Sequence, residues 1–197
     1  MLEEKRENFR GMSEATGNFF SKLKISPNQY TAVSLIFVIA SFFFLIRVDF
    51  LLALIFFFLA AVLDFIDGAV ARFTQKTTKK GAYCDTVADR YVEGIILLGF
   101  LLLPLTDFFL PAKVWIFLSL FGSLMTSYAK AAAGEKNLIQ ERIKSGLAGR
   151  AERIILIILA LILGMVNFSW IIYPLVALAI LSNITAFQRI YLNLRPG

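Results

Sequence analysis

Residues 64–89, DFIDGAVARFTQKTTKKGAYCDTVAD, set four carboxylates between strongly apolar stretches of chain. Asp64 and Asp67 stand three residues apart, and Asp85 and Asp89 stand four apart. On a helix either spacing puts both side chains on one face. The eight residues between Arg72 and Gly81 make a short hairpin, so the two pairs face each other across adjacent helices. Four acids converging at the edge of a membrane are very costly unless cations neutralise them. The pattern therefore predicts a divalent-metal site at the membrane–water boundary. Two other readings stay open to the residues alone. Ion pairing with Lys80, Arg72 and Arg90 accounts for two carboxylates more easily than for four. An ion path through the membrane calls for acids at mid-depth in the other apolar segments, and they carry none there.

Working outward from this motif, the rest of the chain is oily: 58% of its 197 residues are apolar and the mean hydropathy is +0.74. That is too apolar for an ordinary soluble domain. With their polar margins, the apolar runs reach the roughly 20 residues that cross a hydrocarbon layer. Spans are expected at 28–47, 49–73, 81–104, 111–134, 147–166 and 168–192. The expected fold is all-α, a six-transmembrane-helix bundle with an N-terminal amphipathic surface helix. Its two regions are 1–26, a cytoplasmic juxtamembrane helix, and 27–197, the six-span domain. The first span follows a charged leader and lacks a small-residue cleavage site, which argues against a secretory signal.

Lysine and arginine alternate by loop. Lys5, Arg6, Arg10, Lys22 and Lys24 precede span one; Arg72, Lys76, Lys79 and Lys80 follow span two; Lys130, Lys136, Arg142, Lys144, Arg150 and Arg153 surround the fourth connection. Arg189 and Arg195 lie at the C-terminal end, whereas Arg47 and Lys113 stand alone on the other side. The positive-inside rule puts both termini and the aspartate hairpin in the cytoplasm, in a multi-pass protein integral to the cell membrane. The net charge of +6 is thus topogenic, and no nucleic-acid module accompanies it. Residues 2–24 mix acids and bases with Phe9, Phe19, Phe20 and Leu23, as an interfacial helix does, and Ser26-Pro27 ends them.

There is no histidine, and Cys84 is the single cysteine. Metal ligands must then be oxygens, which favours hard cations such as Mg²⁺, Mn²⁺ or Ca²⁺. Proton transfer falls to a carboxylate or a lysine. Cys84 lies off the Asp85 face and reads as packing, Glu93 extends the Asp85–Asp89 face by one turn, and Gly94, Gly99 and Gly122 read as close helix contacts.

The spacing D-x2-D-G-x2-A-R-x8-G-x3-D-x3-D is met in full by Asp64, Asp67, Gly68, Ala71, Arg72, Gly81, Asp85 and Asp89. It resembles the signature of the CDP-alcohol phosphotransferases, membrane enzymes that pass a phosphatidyl-type group from a CDP-lipid to an alcohol and release CMP. The resemblance implies that Asp64, Asp67, Asp85 and Asp89 hold Mg²⁺ or Mn²⁺, as two ions, and that Asp89 is the catalytic base. It implies a CDP-lipid site lined by Asn28, Thr31, Asp64, Asp67, Gly68, Ala71, Arg72, Thr78, Gly81 and Asp85. It also implies a homodimer in the lipid bilayer without a fused cytidylyltransferase.

The stretch SYAKA…GLAGRAERIIL and the pair Asp89-Arg90 are similar to the inositol-phosphate branch of that family. There, residues matching Lys130, Arg153 and Arg189 hold the acceptor phosphate, a task that suits basic side chains. The resemblance implies 1L-myo-inositol 1-phosphate as acceptor and a phosphatidyl- or archaetidyl-type group as cargo, with the archaeal ether version preferred on overall likeness. Glycerol 3-phosphate shares the phosphate requirement and is the alternative acceptor. A non-catalytic or cation-transport membrane protein is the reading from another class.

Overall fold

A computed structural model describes residues 10–21, 26–74, 78–136, 138 and 148–194. Lys76, Arg142, Lys144, Arg195 and the two ends of the helix expected over 2–24 lie outside them. Among the described residues the regular structure is helical throughout: α1 (Arg10–Ser21), α2 (Pro27–Ile46), α3 (Phe50–Phe73), α4 (Lys79–Leu102), α5 (Ala112–Glu135), α6 (Arg150–Val166) and α7 (Ile172–Leu194). A 3-10 turn, Phe168–Ile171, leads into α7. The all-α expectation holds, and α2 to α7 fall on the six expected segments to within a few residues.

Four helical segments, Asn28–Ile46, Phe50–Phe73, Ala112–Glu135 and Phe168–Leu194, are long and apolar enough to cross a membrane, which marks a membrane protein. The other two fall short for separate reasons. The stretch 79–93 of α4 carries Lys79, Lys80, Asp85, Asp89, Arg90 and Glu93. The 17 residues of α6 rise about 25 Å, a little under a hydrocarbon layer of about 30 Å.

The chain divides into two compact units, Lys5–Gly99 and Phe100–Gly197. In the first, α2 and α3 form a hairpin through Arg47–Asp49, where Val48 adopts a left-handed φ of 63°. The Asp49 carboxylate caps α3 by accepting from the Leu52 amide at 3.1 Å. The buried Ser41 hydroxyl donates to the Ala53 carbonyl at 2.7 Å, tying the two helices without leaving a polar group stranded. Val38 and Leu45 of α2 and Ala53, Phe57 and Ala60 of α3 are buried. A Cβ at Gly99 would stand 2.8 Å from the Leu45 side chain, so glycine there lets α4 reach α2 closely, as the sequence suggested.

Part of the helix expected over 2–24 is described as α1. It packs on the C-terminal part of α3: a Cβ at Gly17 would lie 2.6 Å from Phe73 Cβ and 2.7 Å from the Ala69 carbonyl oxygen. Phe20 joins Leu63 against the buried cluster of Tyr30, Ile66 and Val70, and the Tyr30 hydroxyl donates to the Phe20 carbonyl at 3.4 Å. The reason is steric. A glycine lets two backbones approach, and Phe20 then finds an apolar seat beside the motif helix.

In the second unit α5 and α7 are joined by small polar residues. Ser119 donates to the Leu175 carbonyl at 3.0 Å, Thr126 to the Ser182 carbonyl at 2.9 Å and Asn183 to the Leu118 carbonyl at 2.9 Å. A Cβ at Gly122 would stand 2.6 Å from Asn183 Nδ2 and 2.9 Å from the Asn183 backbone nitrogen, so this glycine too marks a close helix contact. The segment before α6 is held to α7, where the Ala148 amide donates to Thr185 Oγ1 at 2.8 Å.

Candidate active site

Three of the four motif aspartates converge. Asp64, Asp67 and Asp85 each offer a carboxylate oxygen, and these oxygens lie within 4.8 Å of one another. The i, i+3 spacing on α3 supplies two of them, and α4 supplies the third. Ligand oxygens about 2.1 Å from one octahedral ion are about 3 to 4.2 Å apart, so a slight contraction would seat a hard cation in this cluster. The donor set, all carboxylate oxygen, has the chemistry such an ion takes. Asp67 is buried, at 4% exposure, whereas Asp64 and Asp85 are half-buried.

Asp89 stands outside that triad. It is buried on α4 one turn beyond Asp85, and its Oδ2 accepts from Arg90 at 3.0 Å. The same guanidinium nitrogen donates to the Thr86 carbonyl at 3.0 Å, so Arg90 bridges its own helix backbone and the Asp89 carboxylate. Of the ion pairs that the residues alone left open, the one with Arg90 is present. Glu93, a turn deeper again, is buried.

The remaining motif residues shape the rim of the triad. Thr31 on α2 donates from Oγ1 to Asp67 Oδ2 at 2.7 Å, with both residues buried. At Gly68 a Cβ would stand 3.2 Å from an Arg72 guanidinium nitrogen, so glycine leaves room for that exposed side chain to fold back over α3. Ala71 is half-buried on the same helix. Thr78 begins α4 by accepting from the Gly81 amide at 3.0 Å, an N-terminal cap that sequence reading did not single out. A Cβ at Gly81 would come within 3.0 Å of Thr78 Oγ1 and 3.4 Å of Asn28 Oδ1. Glycine thus admits the exposed Asn28 side chain of α2 to the start of α4. Cys84 corrects an expectation: its side chain is exposed rather than packed. Lying off the aspartate face turns it outward on α4, not into a neighbour.

The basic residues belong to the other unit. Arg153 on α6 is buried, at 2% exposure, and donates to the Ala148 carbonyl at 3.3 Å. Arg189 on α7 is half-buried and donates to the Thr126 carbonyl of α5 at 2.8 Å. Lys130, one helical turn beyond Thr126, is exposed. Ala148 also bonds Thr185, one turn before Arg189, so hydrogen bonds connect the surroundings of Arg153 and Arg189 through α6 and α7, and Arg189 reaches α5 at Thr126.

Residues 24–184 match the profile of the CDP-alcohol phosphatidyltransferases. The chain belongs to that family. It is therefore a transferase, an enzyme of CDP-linked alcohols. Among its relatives in the family is the archaetidylinositol phosphate synthase of Pyrococcus horikoshii, 35% identical over 97% of this chain and 95% of that protein. Another is the bifunctional IPC transferase and DIPP synthase of Aquifex aeolicus, 38% identical over 86% of this chain. The chain spans only 39% of that relative's length. The fold is that of the phosphatidylinositol phosphate synthase of Mycobacterium tuberculosis with CDP-DAG bound, with a TM-score of 0.77, 22% identity and 92% of each chain covered. The same enzyme in complex with manganese and citrate matches with a TM-score of 0.77, covering 92% of this chain and 88% of that one, again at 22% identity.

Proposed function

We propose that this enzyme transfers the phosphatidyl- or archaetidyl-type group of a CDP-lipid to 1L-myo-inositol 1-phosphate, releasing CMP and making a lipid inositol phosphate. The observation that carries the reading is the Asp64–Asp67–Asp85 triad in a chain similar along nearly its whole length to an archaetidylinositol phosphate synthase. That relative supports ether-linked tails and an inositol phosphate acceptor.

Asp64, Asp67 and Asp85 would hold Mg²⁺ or Mn²⁺, with Asp89 contributing to a second ion, and such cations would offset the charge gathering on the departing CMP. The remaining chemistry belongs to the chain. The acceptor hydroxyl oxygen bonds to the lipid-linked phosphorus, the bond from that phosphorus to the bridging oxygen breaks, and the bridging oxygen departs with CMP. The hydroxyl proton goes to Asp89, whose other carboxylate oxygen Arg90 keeps in place. Asn28, Thr31, Gly68, Ala71, Arg72, Thr78 and Gly81 border the CDP-lipid, where the missing Cβ atoms and the Arg72 guanidinium suit a flat ring and a phosphate. Lys130, Arg153 and Arg189 receive the acceptor's phosphate, to which arginine binds in bidentate fashion.

We place the chain in the cell membrane with six spans, counting the charged α4 and the short α6. Residues 1–26 lie at the cytoplasmic surface, residues 27–197 form the transferase domain, both termini and the active site face the cytoplasm, and two copies pair. Loop charge supports this topology. CMP release by purified protein, with Mn²⁺ and a CDP-lipid in diacyl and ether form, tests the reaction against free inositol, serine, glycerol 3-phosphate and inositol 1-phosphate. Release with inositol 1-phosphate that chelation abolishes is the expected result. Release with glycerol 3-phosphate alone moves the chain to another branch, and no release with any acceptor contradicts the reading.

A further inference from the structure

The first turn of α2 sends a side chain to each of the other three helices of its unit. Asn28 approaches the start of α4 at Gly81, Tyr30 donates to the Phe20 carbonyl of α1, and Thr31 donates to Asp67 of α3. The turn is itself well fixed. Pro27 starts the helix, and Gln29 Oε1 reaches back to accept from the Ser26 amide at 2.8 Å and the Ser26 hydroxyl at 3.1 Å. Thr31 is 8% exposed and β-branched, so its hydroxyl has few rotamers to choose from. The donor that meets Asp67 is therefore held by the scaffold before any ligand arrives.

We infer that Thr31 is a positioning residue for the metal centre: its hydroxyl fixes the rotation of the Asp67 carboxylate and so sets how that ligand enters the triad. Asp67 is the most buried of the three aspartates in the cluster. A buried carboxylate with a fixed hydroxyl on one oxygen cannot rotate without losing a charge-assisted hydrogen bond of 2.7 Å. Hydrogen-bond partners of metal ligands orient the ligand and raise affinity, and their removal typically costs about 10- to 100-fold in metal binding. The nearby Ser34 hydroxyl donates to the Thr31 backbone carbonyl at 2.8 Å, a bond that does not involve Thr31 Oγ1. This role differs from lining the nucleotide, because it acts on the empty enzyme as well as the loaded one. It rests on the triad being the metal site.

Mn²⁺ binding to purified, lipid-free protein, read by the loss of free Mn²⁺ signal in electron paramagnetic resonance, tests it alongside KM for the CDP-lipid and the unfolding temperature of the metal-free protein. Thr31→Val, close in shape but without the donor, is expected to weaken Mn²⁺ binding about 10-fold or more. Thr31→Ser, which keeps the hydroxyl, stays within about threefold of the wild type. The metal-free unfolding temperature separates loss of metal from loss of fold; should Thr31→Val misfold, the contrast of Thr31→Ser with Thr31→Ala in the same assay decides. Unchanged Mn²⁺ affinity in Thr31→Val overturns the inference, as does a raised KM for CDP-lipid with metal affinity intact. Equal weakening in Thr31→Ser and Thr31→Val overturns it too. Asp85→Asn is run beside them: if it binds Mn²⁺ as well as the wild type, the triad reading fails. If Asp85→Asn loses Mn²⁺ while Thr31→Val keeps it, only the role of Thr31 fails.

Discussion

The aspartate cluster of the first unit and the basic positions of the second are both charged and both set among apolar helices, yet they are built in opposite ways. In the first unit, carboxylate oxygens of Asp64, Asp67 and Asp85 come within 4.8 Å of one another across two helices, an arrangement of like charges that a cation stabilises. In the second, Arg153 and Arg189 each spend donors on backbone carbonyls, at Ala148 and Thr126. On the proposed reading, the acids are arranged for a ligand first, whereas the arginines serve the fold and the ligand together. Substituting the former should change chemistry with little loss of stability, and substituting the latter should change both.

The largest expected effect breaks the acid side. Asp67→Asn or Asp85→Asn lowers turnover by about 10³-fold or more, in line with several kcal/mol of charge stabilisation at about 1.4 kcal/mol per decade. Steady-state CMP release over a range of Mn²⁺ concentrations measures it, and partial recovery at high Mn²⁺ sharpens the assignment of these residues as ligands. Asp89→Asn comes next, losing about 10² to 10⁴ in kcat as a general base does. Because Asp89 stands outside the triad, this variant should keep tight binding of a first Mn²⁺.

Arg153→Met tests the other side of the comparison. Loss of a charged hydrogen bond, worth about 1.5 to 3 kcal/mol, raises KM for the phosphorylated acceptor about 10- to 100-fold while KM for CDP-lipid stays put. Unlike the aspartate variants, it also lowers the unfolding temperature, because the side chain is buried and bonded to Ala148. A stable Arg153→Met enzyme with normal KM for the acceptor erases the contrast. The smallest effect is at Gly17, where a single methyl meets the Ala69 carbonyl and Phe73 Cβ. Gly17→Ala is expected to cost about 1 to 3 kcal/mol of stability, as overpacking does, and to loosen α1 from α3 in hydrogen exchange.

Much of this was legible in the chain. The helices of residues 28–47 through 168–192 announce themselves by apolar length and by the loops of lysine and arginine between them. The triad follows from the spacing of Asp64 and Asp67 and one short hairpin, whereas Asp89, expected to join it, stands outside. Contacts between residues distant in sequence were not legible. Thr31 lies 36 residues from Asp67, and no local pattern says that a hydroxyl on one helix will face a carboxylate on the next. Gly17 sits in a polar stretch, where a lone glycine signals nothing until Ala69 and Phe73 come up against it. The outward face of Cys84 depends on what surrounds α4 on every side, which periodicity along a single helix does not give.

The most direct test offers the purified enzyme an ether CDP-lipid, Mn²⁺ and equal concentrations of inositol 1-phosphate and glycerol 3-phosphate, and weighs the lipid product by mass spectrometry. A product whose mass is that of the ether lipid carrying inositol phosphate, formed in large excess over the glycerophosphate product and absent from Asp85→Asn, is the predicted result. A product carrying glycerophosphate in excess, or inositol phosphate lipid formed equally well by Asp85→Asn, would contradict it.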